Sequence, residues 1–263
     1  MDIIKIGGGK NINIKGIIRG LNNNNETIIV HGANAIRDNV LSIMGYEKNA
    51  VTSIMGYSSV ITDDNMMDVI MMTYSGIMNK RIVELCHQNS INAIGLSGID
   101  GGLIRSKRNN GIRIEENGRK RIIRDLSGKS KEINEKLLRL LLKEGYTPVI
   151  SIPTLDEQGH AINTENDDII ALLHHTLRAT RIIQLIEAPG YLKEPGDENS
   201  LIRKMRQEDI ASALGKSTGR MKRKLHAIKK MLEVPCTIHI ADGRTDDPLG
   251  EILRGEGTVI RCQ

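Results

Sequence analysis

The sequence predicts an α/β sandwich around a mainly parallel central sheet. Short Ile- and Val-rich segments, several closing on glycine, recur along the 263 residues, with helix-patterned stretches between them. Continuous apolar runs of this length read as strands buried on both faces, and their alternation with helices is the pattern of a parallel sheet covered by crossover connections. A further observation adds a projection. Residues 103–124 alternate Ile with charge, as in GIRIEENGRKRIIR, and carry Asn117-Gly118, a strong tight-turn signal, so a protruding basic β-hairpin is expected there.

Taken in order, the strands are DIIKI (2–6), TIIVHG (27–32), INAIGLSG (91–98), TPVISI (147–152), TRIIQLI (180–186), CTIHIADG (236–243) and TVIRC (258–262). Helices are expected over 66–88, 133–145, 167–179 and 219–233; the second of these ends at Gly145 with Pro148 soon after, a helix stop. NNNN (22–25) reads as a polar loop, and IADGRTDDPLGEIL (240–253) as a strand end followed by a loop whose acids are solvated. The chain reads as a single domain, 1–263, with a soft boundary near 145–156 that separates a lobe over 1–150 from a lobe over 151–263.

Composition narrows the function classes. Hydrophobic residues make up 39% and charged residues 26%, ordinary for a globular protein. No apolar run approaches the ~20 residues of a membrane helix, and MDIIKIGGGK shows no basic region ahead of an apolar stretch, so neither a membrane span nor a leader is expected. Cys86, Cys236 and Cys262 are odd in number and without metal spacing, which points to buried or incidental thiols, a reducing cytoplasm and no protein-held metal.

The net charge of +5 is uneven. Residues 103–124 hold eight Lys/Arg against Glu115 and Glu116, and residues 216–232 hold seven with no acid, which leaves the rest of the chain at −8. Two cationic islands on an acidic body suggest two local anionic contacts. Phe and Trp are absent and Tyr numbers five, so stacking platforms for nucleic acid are few and no nucleic-acid motif is found.

Three polar constellations stand at strand ends. KIGGGK (5–10) places a lysine and three glycines where backbone N–H groups could approach a phosphate, yet it fits neither the P-loop nor the dinucleotide pattern and on its own reads sooner as a turn beside a surface lysine. VHGAN (30–34) is a second strand-to-glycine loop, and both loops belong at the carboxyl edge of a parallel sheet, where α/β folds hold ligands. His31 alone reads as a structural histidine. INTENDD (162–168) sets Glu165, Asp167 and Asp168 at a helix start, as caps or as an orienting or metal-linked group.

In this order the pieces resemble the amino acid kinase family. The likeness runs over nearly the whole chain: KIGGG, VHG, VTS…GY (51–57), TDD (62–64), NKRIV (79–83), GLSGIDGGLIRSKR (95–108), LLRLLLKEGYTPVIS (137–151), APGYL (188–192), GRMKRK (219–224) and ADGR (241–244), of which GLSGIDGGL and GRMKRK are the specific ones. Within the family it is nearest to the [LysW]-aminoadipate and [LysW]-glutamate kinases, relatives of N-acetylglutamate kinase, which phosphorylate a carboxylate on a carrier-bound amino acid in lysine and arginine biosynthesis.

The resemblance implies an amino-acid-kinase-like αβα sandwich that transfers phosphoryl from ATP, with Mg2+ bound alongside the nucleotide, to a carboxylate. It implies an acceptor-substrate lobe over 1–150, an ATP-binding lobe over 151–263 and a homodimer. Lys5 would stabilise the transferring phosphoryl from the acceptor side, Lys224 from the nucleotide side, and Asp167 would orient both. Gly7 and Gly8 would offer N–H groups to the phosphates, with Lys222 beside them. Gly32, Ala33 and Asn163 would contact the substrate. The basic hairpin, through Arg105, Lys107, Arg108, Arg119, Lys120 and Arg121, would dock a small acidic amino-group carrier protein.

The sequence also departs from the family pattern. Ala33 followed by Asn34 stands where a second glycine is usual, Val60 where an arginine precedes TD, Glu165 where Asn or Asp is usual, and Glu187 where a shorter side chain lies near the nucleotide. Loss of the arginine removes a bidentate carboxylate partner, so acceptor choice is where the chain should differ. A free N-acetylglutamate kinase and a weakened relative serving as a binding or sensor module are the alternatives.

Overall fold

A computed structural model describes the chain apart from residues 22–25, 47–49, 53–57, 117–118, 195, 217–218 and 262–263. Through the first half the elements run β1 (Asp2–Ile6), α1 (Ile14–Arg19), β2 (Thr27–His31), α2 (Asn34–Ile43), β3 (Ala50–Thr52), β4 (Ser58–Val60), α3 (Asp64–Ile70), a π-helix (Met71–Met78), α4 (Asn79–Gln88) and β5 (Ala93–Ser97). Next come β6 (Ile104–Arg108), β7 (Ile112–Glu116), β8 (Arg119–Ile123), β9 (Gly128–Ile133), α5 (Glu135–Lys143), β10 (Thr147–Ser151), β11 (Thr154–Leu155), β12 (Ala161–Ile162) and α6 (Asn166–Leu177). The last part holds β13 (Arg181–Ile186), β14 (Lys204–Arg206), α7 (Gln207–Lys216), α8 (Gly219–Met231), β15 (Thr237–Asp242), α9 (Pro248–Leu253) and β16 (Thr258–Arg261).

Eight strands form one sheet in the order β14-β16-β15-β13-β1-β2-β10-β5. Of its neighbouring pairs only β15 against β16 is antiparallel. The seven apolar segments expected to be strands are all strands of this sheet, and the reason is burial on both faces: Ile3, Ile6, Ile28, Ile29, Val30, Ile182 and Ile238 are 0% exposed. Each apolar side chain so enclosed contributes on the order of 1.5–3 kcal/mol.

β1 is central. It pairs in parallel with β2 on one side and β13 on the other. From β1 the chain crosses to β2 in one direction, and from β13 to β15 in the other. The chain therefore runs on from β1 and β13 in opposite directions, a topological switch point, and the crevice at the carboxyl edge of such a point is where doubly wound sheets bind ligands.

Three expectations change. The segment 103–124 is not one hairpin. β6 joins a separate sheet, ordered β12-β11-β6-β9, and pairs antiparallel with β9, while β7 and β8 form a two-stranded hairpin of their own. β6 alternates buried Ile104 and Ser106 with exposed Arg105 and Lys107, and its Ser106 hydroxyl bonds that of Thr154 at 2.8 Å, so its inner face is already committed. The Asn117-Gly118 turn lies outside the described residues, as does the 22–25 loop. Second, residues 240–253 are not simply loop. The strand runs to Asp242, and α9 follows with the Asp247 side chain accepting from Gly250 N at 3.0 Å and Pro248 in the first turn, a favoured helix start. Third, the helix over 66–88 begins earlier, at Asp64, capped by Asp63 accepting from Met66 N, and its middle eight residues are π-helical.

Candidate functional site

The loops after β1 and β2 meet backbone to backbone. Ala35 N donates to Gly8 O at 2.8 Å and Gly32 N to Ile6 O at 2.9 Å. A Cβ on Gly8 would stand 2.7 Å from both Ala33 N and Asn34 N, closer than real Cβ contacts come, so only glycine lets the two loops approach this far. No group among the described residues takes the Gly8 N–H. Gly7 differs from expectation. Its N–H donates to Leu185 O at 2.9 Å, so it ties β1 to β13 and has none to offer a ligand.

Lys5, on β1, donates from Nζ to Asp167 Oδ1 in the first turn of α6. Both side chains are largely enclosed, 13% and 20% exposed. Lys224, half-buried on α8, completes the group: burial first, then the Lys5 charge, pushes its ammonium down to about 8, with Asp167 pulling the other way. Burial works to raise the Asp167 carboxyl, yet the charges of Lys5 and Lys224 and the Lys5 hydrogen bond hold it below its ordinary range. Two ammonium groups thus stand by one carboxylate at the β1–β13 crevice, Lys5 bonded to it and Lys224 felt by it through charge. That excess of positive charge is what a transferring phosphoryl group needs.

The other acids of INTENDD cap nothing. N-cap Glu165 makes no side-chain cap hydrogen bond, and accepts instead from Arg223 Nη1 at 3.0 Å, while Asp168 accepts from Lys230 Nζ at 3.0 Å. These pairs clasp α8 onto the start of α6. So the basic run over 216–232 does not face an outside anion alone: Arg223 and Lys230 hold the helix in place, and Lys222 lies half-buried beside them.

His31 is structural. It is fully buried, accepts from Asn79 Nδ2 at Nε2 (3.2 Å), and burial lowers its pKa to about 4, so it is neutral. Gly32 and Ala33 are also buried, and Asn34 is the residue of this loop that reaches solvent. Asn163 sits with its backbone bonded to Leu126 and Gly128 and its amide donating to Thr62 Oγ1 at 3.1 Å. Glu187 was read as a departure near the nucleotide; its longer arm accepts from Asn11 N at 2.7 Å and so braces the glycine loop.

The cationic residues read as one docking hairpin divide between two sheets. On β6, Arg105 opposes Glu132 and Lys107 opposes Lys129 of β9. Arg108 is engaged: its N–H donates to Glu157 Oε2 at 3.1 Å and its guanidinium to Asp156 Oδ2 at 3.5 Å. On the distal hairpin, Arg119 opposes Glu116 and Lys120 opposes Glu115, while Arg121 opposes Ile114. Lys129, which the sequence reading missed, makes with Lys107 a like-charged cross-strand pair, an arrangement that costs stability unless an anion covers it.

A cleft of about 370 Å³ opens at the carboxyl ends of β13 and β15, lined by Pro189, Ala241, Asp242, Glu251, Arg254, Glu256 and Gly257; none of Lys5, Asp167 and Lys224 lines it. Arg244 of ADGR is bound to Asp242 and Glu198 at 2.6 and 2.8 Å and shapes the adjoining loop. Among the described residues no group of three or more His, Cys, Asp or Glu is set to hold a metal ion, and no helix is long and apolar enough to cross a membrane.

Comparison with known proteins identifies the family. The model of the amino acid kinase family matches residues 3–242. The [LysW]-aminoadipate kinase of Thermus thermophilus is 36% identical over 99% of this chain and 100% of its own length. The acetylglutamate kinase of Methanopyrus kandleri is 32% identical, again over 99% of this chain and 100% of its own. Among solved structures, N-acetylglutamate synthase from Neisseria gonorrhoeae superposes with a TM-score of 0.78 at 17% identity; all of this chain is covered, and it spans 59% of that longer one, a likeness of fold. The chain belongs to the amino acid kinase family and is a phosphotransferase of amino-acid biosynthesis with a carboxylate as its acceptor.

Proposed function

We propose that this protein phosphorylates the side-chain carboxylate of 2-aminoadipate, or glutamate, carried on a small acidic protein, using Mg-ATP, in lysine and arginine biosynthesis. The observation that carries the reading is the Lys5–Asp167–Lys224 group at the β1–β13 crevice. The residues present suit a nucleotide: a glycine that no Cβ could replace, its N–H taken by no group among the described residues, and an ammonium held below its usual pKa by burial and by the neighbouring Lys5 charge. Bound Mg-ATP would supply the transferable phosphoryl and its charge-balancing metal.

In this reading Lys5 and Lys224 bear on the phosphoryl from two sides of the seam. Lys5 belongs to the half of the sheet formed by β1, β2, β10 and β5, which we assign to the acceptor. Lys224 belongs to the half after β13, which we assign to the nucleotide. Asp167 holds the two ammonium groups in place without neutralising both. Gly8 admits the phosphate close to backbone, and Asn163 with the 32–34 loop faces the acceptor.

The carrier is assigned to the β6–β9 face and the β7–β8 hairpin. Support comes from Lys107 opposite Lys129, and from relatives whose names specify a LysW-borne substrate. The test is an assay of ADP release with carrier-borne 2-aminoadipate, carrier-borne glutamate and free N-acetylglutamate offered side by side. The reading expects a carrier-borne acid to give the highest kcat/KM. If free N-acetylglutamate is used best, the carrier assignment is wrong; if no acid is phosphorylated, the kinase reading itself fails.

A further inference from the structure

Asn34 opens α2 on the acceptor side of the crevice and replaces the bare backbone of a glycine-rich loop with a side-chain amide. Its backbone N lies 2.7 Å from where a Gly8 Cβ would be, so it stands directly against the first glycine loop. The side chain is exposed, yet it is held. Tyr74, only 4% exposed, donates from its hydroxyl to Asn34 Oδ1 at 2.6 Å. That bond uses the amide oxygen and leaves the NH2 group to donate elsewhere. Among the described residues no protein group accepts from Nδ2.

The holder is itself fixed by the π-helix. Its i→i+5 bonding brings residues five apart onto one face. Tyr74 and Asn79 are five apart, and both reach the carboxyl edge. Asn79 donates to His31 Nε2 at 3.2 Å and to Val149 O at 2.9 Å, and the intervening Ser75 donates to Ile152 O at 3.1 Å. One short segment therefore braces the ends of β2 and β10 and aims Asn34.

We infer that Asn34 is a specificity-determining residue of the acceptor side: its amide, aimed by Tyr74, donates a hydrogen bond to an anionic oxygen of the carboxylate that receives the phosphoryl. Tyr74 is the positioning residue behind it. The inference rests on the carboxylate-kinase reading above and deepens it.

The experiment measures kcat and KM of Asn34→Ala, Asn34→Asp, Tyr74→Phe and the double variant Asn34→Ala/Tyr74→Phe, with the best of the three acids tried on the wild type. Loss of a hydrogen bond to a charged oxygen should raise the acceptor KM about tenfold in Asn34→Ala. Asn34→Asp, isosteric but anionic, should raise it further, and Tyr74→Phe about threefold through loss of orientation alone. KM for ATP should stay within about twofold in all, and the double variant should be no worse than Asn34→Ala, because contacts that act as one unit are not additive. Asn34 is exposed, so its variants fold even if Tyr74→Phe does not. An unchanged acceptor KM in Asn34→Ala and Asn34→Asp overturns the inference while leaving the kinase reading intact; a Tyr74→Phe effect fully additive to Asn34→Ala overturns the positioning role. A wild type that phosphorylates none of the acids removes the reading and this inference together.

Discussion

The β1–β13 crevice and the β6–β9 face with its distal hairpin both collect lysine and arginine, and they hold the charge in opposite ways. At the crevice two ammonium groups are gathered around one carboxylate, close enough that the Lys5 charge lowers the Lys224 ammonium and both cations lower the Asp167 carboxyl. On the outer face Arg105, Lys107, Arg119, Lys120 and Arg121 are exposed to solvent. In the first setting a charge acts strongly on an atom a few ångströms away, because little water screens it; in the second it acts weakly, at longer range and in a salt-dependent way. The lesson is that counting cations along the sequence finds both places but cannot tell the two uses apart.

The largest expected effect tests the enclosed group. Lys5→Met and Lys224→Met should each lower kcat by about 10²–10³-fold, the size of losing one preorganised donor in a dry site. Steady-state kinetics at saturating ATP and acceptor reads this directly. If either variant turns over near the wild-type rate, that lysine is not part of the phosphoryl-transfer group, and the crevice is no different in kind from the outer face.

The outer face should respond by about tenfold and in KM, not kcat. Exposed charges at an interface act mainly on association. The strand register sharpens which ones: Arg119 and Lys120 oppose Glu116 and Glu115, whereas Lys107 opposes Lys129. Reversing Lys107 and Lys129 to Glu should therefore raise KM for a carrier-borne acid by roughly tenfold at low salt, more than reversing Arg119, Lys120 and Arg121 does, and the difference should fade as salt rises. KM for a free acid should not move. A response equal in both acids would show that the face is not a docking surface.

The two regions were also unequally legible in the sequence. Buried strands announce themselves through continuous Ile and Val, so the central sheet and the glycine loops at its edge could be read from residues alone. Lys5, Asp167 and Lys224 lie on three elements distant along the chain, and only the family likeness joined them. Pairing partners have no local signature: β6 with β9, and hence Lys107 with Lys129, is a tertiary choice, while Asn117-Gly118 drew attention to the shorter hairpin. The π-helix was hidden because MMDVIMMTYSGIM is mostly apolar, so no period could be read and nothing singled out Tyr74. α9 was missed for the opposite reason. Its acids suggested a loop, although Asp247-Pro248 is a helix-start signal.

A smaller effect follows from the lowered ammonium of Lys224. If its cation is needed, the free enzyme loses activity as pH rises through about 8. Between pH 7.5 and 8.5 kcat/KM should fall about threefold on that account, and Lys224→Arg, if active, should lack this limb because a guanidinium stays charged. Bound phosphates would favour the charged form, so the corresponding limb in kcat should lie at higher pH. A flat kcat/KM profile from pH 7 to 9 in the wild type would show that the enclosed charge does not titrate where its surroundings imply.

The smallest effect concerns stability and separates the two regions without any substrate. Lys224 has its pKa lowered from 10.5 to about 8, with burial as the first cause. A lysine depressed in the folded state destabilises it wherever both states are protonated, that is, below about pH 8. Between about 8 and 10.5 the unfolded chain binds the extra proton, so stability recovers as pH rises through that window. Lys224→Met removes the buried charge and leaves Asp167 paired with Lys5. At pH 7 its Tm should therefore exceed that of the wild type by a few degrees, since ~1 kcal/mol moves Tm roughly 2–4 °C in a chain of this size. The gain should shrink as pH is raised toward 10. Lys107→Met, on the exposed face, relieves only a solvent-screened repulsion from Lys129 and should raise Tm by much less. Thermal denaturation at pH 7 and pH 9.5 checks both; a Tm that falls in Lys224→Met at pH 7 would mean that this ammonium holds the crevice together, and the contrast between enclosed and exposed cations would have to be redrawn.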